Sequence, residues 1–159
     1  KYLGLCLTLL VNVLVMGVGV SLALLYVSRG WDPLIPTIWP AVLLIYIELM
    51  LLTAIALLFS SFSSPALSAL LTFLTFVIGH FSADLKILAV SLGSTGARWF
   101  FTALYYLLPN LANYSFITPA GHGRMPTAGF VFATALYALV YITVVLAAAT
   151  LIFSRRNFK

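Results

Sequence analysis

The stretch IWPAVLLIYIELMLLTAIALLF, Ile38 to Phe59, decides how the chain is read. It is apolar but for Tyr46, Glu48 and Thr53, and it is long enough for a helix across a hydrocarbon core, which needs about 20 apolar residues. No charge lies between Lys1 and Arg29, between Glu48 and Asp84, or between Arg124 and Arg155. The 159 residues are 64% apolar and 7% charged, with a mean hydropathy of +1.17. Soluble domains run roughly 45–50% apolar and about 25% charged, so the chain has too few charges to cover a water-exposed surface. The composition predicts an all-α polytopic membrane protein.

Four spans are expected, at about 2–27, 38–59, 66–81 and 128–153, within a single transmembrane domain covering 1–159. Between the first two, Ser28-Arg29-Gly30-Trp31-Asp32-Pro33 with Pro36, Trp39 and Pro40 reads as a short interfacial loop, because Gly and Pro break helices and Trp suits the headgroup belt. Ser60-Ser61-Phe62-Ser63-Ser64-Pro65 reads as a turn, with Ser64 as N-cap and Pro65 in the first helical position. The third span is short and crosses only if it stands upright or borrows from its flanks.

Residues 82–127 differ in character, collecting charges and turn formers. Ser82 to Leu92 predicts a short amphipathic helix and Ser94-Thr95-Gly96 a break. Ala97 to Leu108 predicts an aromatic-rich helix stopped by Pro109-Asn110. Non-helical backbone at membrane depth survives only where protein covers it or it lines a cavity, so this region is expected to be an interfacial or re-entrant outer element. Arg155, Arg156 and Lys159 close the chain and Lys1 opens it. Basic flanks face the cytoplasm, which predicts both ends cytoplasmic, Ser60–Ser64 on the same side and 82–127 outside. The net charge of +5 gathers at chain and segment ends rather than on a soluble face, so nucleic acid is not an expected partner; the lipid bilayer is. The start at Lys1, without an initiator Met, reads as the later part of a longer polypeptide.

Few residues carry chemistry. Glu48 stands near the middle of its span, where an acid costs something like 2.5–3.5 kcal/mol on insertion scales and turns toward a partner or wet cavity. Asn12 is expected at nearly the same depth on the preceding span, making Glu48 and Asn12 a candidate polar pair, either a proton, cation or substrate site or an interhelical clamp. His80 and His122 with Asp84 are too few for a metal, which normally takes three or four ligands. Arg98, Trp99, Phe101, Tyr105, Tyr106 and Pro109 form a candidate outer gate, or else an interfacial belt with Arg98 snorkelling to headgroups. Cys6 alone permits no intrachain disulfide. Asn113-Tyr114-Ser115 matches the glycosylation pattern but lies too close to the membrane to be a good acceptor. With no acidic pair, P-loop, GxSxG or HExxH, no catalytic site and no cofactor are expected, and ATP binding would belong to a partner.

Taken in order, Lys1-Tyr2-Leu3-Gly4-Leu5 opening a span, the turn Leu58-Phe59-Ser60-Ser61-Phe62-Ser63-Ser64-Pro65, Tyr105-Tyr106-Leu107-Leu108-Pro109-Asn110 after an outer helix, and the ending Phe153-Ser154-Arg155-Arg156-Asn157-Phe158-Lys159 resemble the permease subunit of an ABC-2-type transporter. The resemblance covers nearly the whole chain. It implies a six-span permease of the bacterial inner membrane, of which this chain carries spans three to six. It further implies a second permease subunit and a separate ATP-binding-cassette ATPase as partners, with Ser60, Ser61, Phe62, Ser63 and Ser64 near the ATPase and Trp99–Phe116 as an outer re-entrant cap. The implied mechanism is alternating access. The competing reading is a non-catalytic structural or assembly subunit of a larger membrane complex; a small membrane enzyme with Glu48 as its base is the weakest.

Overall fold

The computed structural model describes residues 1–82, 87 and 95–155. Most of the helix expected at Ser82 to Leu92, Ser94, the charges Asp84 and Lys86, and the basic tail from Arg156 to Lys159 lie outside them.

Among the described residues the chain is helical, with no strand. The elements are α1 (Tyr2–Ser28), α2 (Ile35–Ser60), α3 (Pro65–His80), α4 (Thr95–Leu107), a single 3₁₀ turn (Ala112–Tyr114), α5 (Ile117–Gly121) and α6 (Ala128–Arg155). Three helices are long and apolar enough to cross a membrane: Tyr2–Ser28, Ile35–Ser60 and Ala128–Ser154. The expected third span, α3, has 16 residues. At about 1.5 Å per residue it is about 24 Å long, less than the roughly 30 Å of a hydrocarbon core.

α2 is the hub, packing against α1, α3, α5, α6 and the 3₁₀ turn. Its buried residues Thr37, Ala41, Leu44, Glu48, Leu51 and Ile55 follow alternating steps of four and three, which keep one stripe of a helix facing inward. Leu44, Leu51, Ala54 and Ile55 meet Ala138, Ile142 and Val145 of α6, with Leu111 and Tyr114 inserted between them. α2 begins three residues before the expected Ile38, because Pro36 is tolerated in a first helical turn, where the missing N–H has no intrahelical partner. Asp32 supports that start: its carboxylate accepts from the Leu34 amide at 2.8 Å and from Ser28 Oγ at 2.5 Å.

α1 lies on α2 along one strip, where Cys6 and Gly17 are buried. Gly17 has the Val42 side chain beside it, and Tyr2 and Tyr46 donate across the pair to Met50 O and Cys6 O. The rest of α1 is bare. The Ser60–Ser64 turn behaves as expected, Ser64 being extended and Pro65 opening α3, although no side-chain cap forms. Instead Ser68 Oγ reaches back to Ala56 O at 3.1 Å and ties α3 to α2. Lys1, Ser60, Ser61, Phe153 and Ser154 line one groove, so the start of α1 and the ends of α2 and α6 share one end of the bundle.

Two boundaries differ from expectation in the aromatic region. α4 begins at Thr95, two residues before the expected Ala97, and ends at Leu107, one residue early. The backbone then leaves helical geometry at Pro109, whose ring disfavours helix in the residue before it.

Candidate functional site

The polar centre of the bundle forms where α3 ends against α2. Counted from the Ser60–Ser64 turn, Glu48 lies about 18 Å along α2 and His80 about 22 Å along α3. The two antiparallel helices therefore bring them to one level. Glu48 Oε1 stands 3.5 Å from His80 Nε2, with the Glu48 side chain 10% exposed and the His80 side chain 27% exposed. His80 is oriented by its own helix: Nδ1 contacts Phe76 O at 3.2 Å, and the ring lies 4.5 Å from the Phe76 ring. Glu48 Oε1 is fully enclosed yet has no hydrogen-bond partner.

The expected partner of Glu48 is elsewhere. Asn12 sits on the exposed side of α1, and its Nδ2 donates to Thr8 O at 3.0 Å, one turn back on the same helix. Similar depth put Glu48 and Asn12 together in sequence reasoning, but depth says nothing of rotation. The strip that α1 presents to α2 runs through Cys6 and Gly17, and Asn12 points away from it. In the sequence His80 stands out only beside His122 and Asp84, as part of a set too small for a metal. The signal that could have found it is the shortness of α3, which stops the helix at the level of Glu48.

Against this pair the chain packs its broken segment. Leu111 N donates to Gly79 O at 3.1 Å, and a Cβ at Gly79 would lie 2.8 Å from the Leu111 side chain and 2.9 Å from Pro109 O. Only a glycine lets the turn approach so closely. Pro109, Leu111 and Tyr114 are fully buried. The polar groups released by the break find partners one by one: Tyr141 Oη donates to Leu107 O at 3.1 Å, Tyr137 Oη accepts from Asn110 N at 3.3 Å, Ser82 Oγ donates to Asn110 Oδ1 at 2.8 Å, and Tyr114 Oη donates to Thr134 O at 3.2 Å. An irregular backbone inside an apolar bundle is stable only with such substitutes for water. On the α2 side, Thr37 Oγ1 donates to Ala120 O at 3.1 Å and holds α5.

The other candidate residues divide by exposure. Of the gate set, Pro109 is buried under the bundle while Arg98, Trp99 and Tyr106 are exposed on α4 and Phe101 and Tyr105 half-buried. Tyr105 and Tyr106 stack edge to face at 5.3 Å. The helix thus presents an exposed aromatic side. At the opposite end, Ser60 and Ser61 hydroxyls donate to Leu57 O and Leu58 O, Ser63 and Ser64 are half-buried or exposed, and Phe62 is 49% exposed. The Phe62 ring meets the Phe59 ring edge to face at 6.0 Å. Among the described residues no cluster of three metal-binding side chains occurs. No family model, curated protein or solved structure matches the chain.

Proposed function

We propose that the chain is the membrane-spanning permease part of an ABC-2-type exporter, working with a second permease subunit and driven by a separate ATP-binding-cassette ATPase. In this reading α1, α2, α3 and α6 are four crossings in a bacterial inner membrane. α3 is the short crossing, its free end covered by the 108–116 turn rather than by lipid. The chain ends and the Ser60–Ser64 turn face the cytoplasm, where the ATPase docks, as the basic residues at both ends favour. The observation that carries the reading is the irregular backbone seated on Gly79 between α2 and α6, away from the end that holds Ser60 and Ser154. A permease needs two differently built ends, one to receive the ATPase stroke and one to cap the pathway.

The test is purification from the native membrane in mild detergent. A P-loop ATPase should copurify, and Phe62→Ala should lower stimulated ATP hydrolysis several-fold while the fold persists. A stable chain with no ATPase partner would overturn the reading, as would hydrolysis indifferent to the whole Ser60–Ser64 turn. The bare surface of α1 favours the second reading, an assembly subunit, because it offers a long face to another membrane protein. The two part at Glu48→Gln, which should impair transport in the first case and leave activity intact in the second.

A further inference from the structure

The contact between His80 and its own helix favours the tautomer with hydrogen on Nδ1. Phe76 O is a carbonyl oxygen and can only accept, so Nδ1, 3.2 Å away, donates to it. In a neutral ring Nε2 then holds a bare lone pair. That lone pair sits on the nitrogen 3.5 Å from Glu48 Oε1. An ionised carboxylate there would set lone pair against lone pair and leave its enclosed Oε1 without a hydrogen bond, a costly arrangement in a protein interior. One added proton removes both faults. Carried by Oε1, it donates to Nε2; carried by Nε2, it makes an imidazolium facing a carboxylate.

We infer that Glu48 and His80 together form a binding site for one proton inside the bundle. Once the two atoms close from 3.5 Å to hydrogen-bond distance, transfer within the site breaks the Oε1–H bond as the Nε2–H bond forms, and the pair stays neutral in both forms. An empty site carries one negative charge and a doubly occupied one carries one positive charge. Both are disfavoured in apolar surroundings, so the pair takes up and releases a single proton as a unit. The site meets the surface at the 27% exposed His80 side chain and, to a smaller extent, at the 10% exposed Glu48 side chain, and protons exchange there.

Among the described residues the neighbours leave the pair to itself. Tyr114 faces it from the 3₁₀ turn with its hydroxyl committed to Thr134 O, and Tyr137 of α6 is engaged with Asn110 N. Tyr46 on α2 and Tyr2 on α1 donate to Cys6 O and Met50 O. Among the described residues no Lys or Arg forms an ion pair with Glu48. The site uses no ATP, so it stands whether or not the chain belongs to an exporter.

The experiment is nitrogen-15 NMR of the histidine-labelled full chain in lipid nanodiscs, with infrared difference spectra of the same samples between about pH 5 and 9. The chain has two histidines, and His122→Asn leaves His80 as the labelled one. Nδ1 should stay protonated throughout. The His80 Nε2 signal and a carboxyl band should change at one midpoint, agreeing within about 0.3 pH unit, with one proton released per chain. Glu48→Gln should abolish the band and the shared transition; His80→Gln should abolish the shared transition and leave the carboxyl band to change at a midpoint of its own. A bare Nδ1, two midpoints more than about one pH unit apart, or a band that survives Glu48→Gln would overturn the inference. If a variant loses its helical signal, the coincidence of midpoints in the unaltered chain decides alone.

Discussion

α1 and the segment from Leu108 to Phe116 are opposites. α1 is a long apolar helix that the bundle scarcely covers: Leu3 is 80%, Val15 66% and Met16 72% exposed. The 108–116 segment is short, irregular and rich in polar atoms, yet Pro109, Leu111 and Tyr114 are fully buried. In water this would be upside down. In lipid, apolar side chains need no cover, whereas unsatisfied backbone groups cost several kcal/mol each. Burial in this protein therefore follows the need to satisfy the backbone, and the side chains with the largest structural consequence are those beside the break.

The contrast is broken most severely at Tyr114. Tyr114→Ala empties the space between α2 and α6 and removes the bond to Thr134 O, and it should cost about 3–5 kcal/mol by analogy with other large-to-small aromatic losses. Thermal unfolding in nanodiscs checks this; an unchanged midpoint would mean the segment is not packed as described. Tyr114→Phe keeps the ring and should lose only about 0.5–1.5 kcal/mol.

Two glycines sharpen the comparison at the next level. Gly79→Ala puts a methyl group 2.8 Å from Leu111 and 2.9 Å from Pro109 O, an overpacking that should cost about 1–3 kcal/mol and raise amide exchange at Leu111. Gly19→Ala meets nothing within 4 Å and should stay within about 0.5 kcal/mol of neutral. Equal effects at the two positions would erase the distinction between lipid-facing and turn-facing helix surfaces. Asn12→Leu belongs with Gly19, since the Asn12 amide bonds only one turn back on its own helix; it should leave the midpoint within about 0.5 kcal/mol.

What could be read from residues alone follows the same division. The long helices were legible because a run without charges over such a length has one physical reading, and the break at Pro109 was legible because proline removes a donor and restricts its predecessor. The Glu48 partner was not. Pairing in a helical bundle depends on which stripe of each helix faces inward, and α1 carries apolar residues all round, so its periodicity holds no orientation. The close seat at Gly79 was equally hidden, because its partner lies some thirty residues on, beyond a stretch whose path no local rule dictates. The start of α2 was misplaced by three residues because Pro36 looked like a breaker, when a first turn accepts it.

The smallest expected effect lies in the link between the two exposed helix ends, and it separates the loop from both buried and lipid-facing surfaces. Asp32 is held by Ser28 Oγ at 2.5 Å and by Leu34 N at 2.8 Å, and these bonds, Ser28 first, keep its carboxyl below the usual carboxylate range. A folded-state value lowered in this way means that the stabilising contribution is complete above the ordinary carboxylate range and disappears as the pH falls through the lowered value. Full exposure to solvent keeps that contribution small. Acidification should therefore speed amide exchange at Leu34 relative to Leu111, whose acceptor is the backbone carbonyl of Gly79 and does not titrate. In Asp32→Asn the ratio of the two rates should no longer depend on acid. If the ratio in the unaltered chain is flat with pH, the bonds to Asp32 do not set the entry into α2, and Pro36 with Thr37 must define it alone.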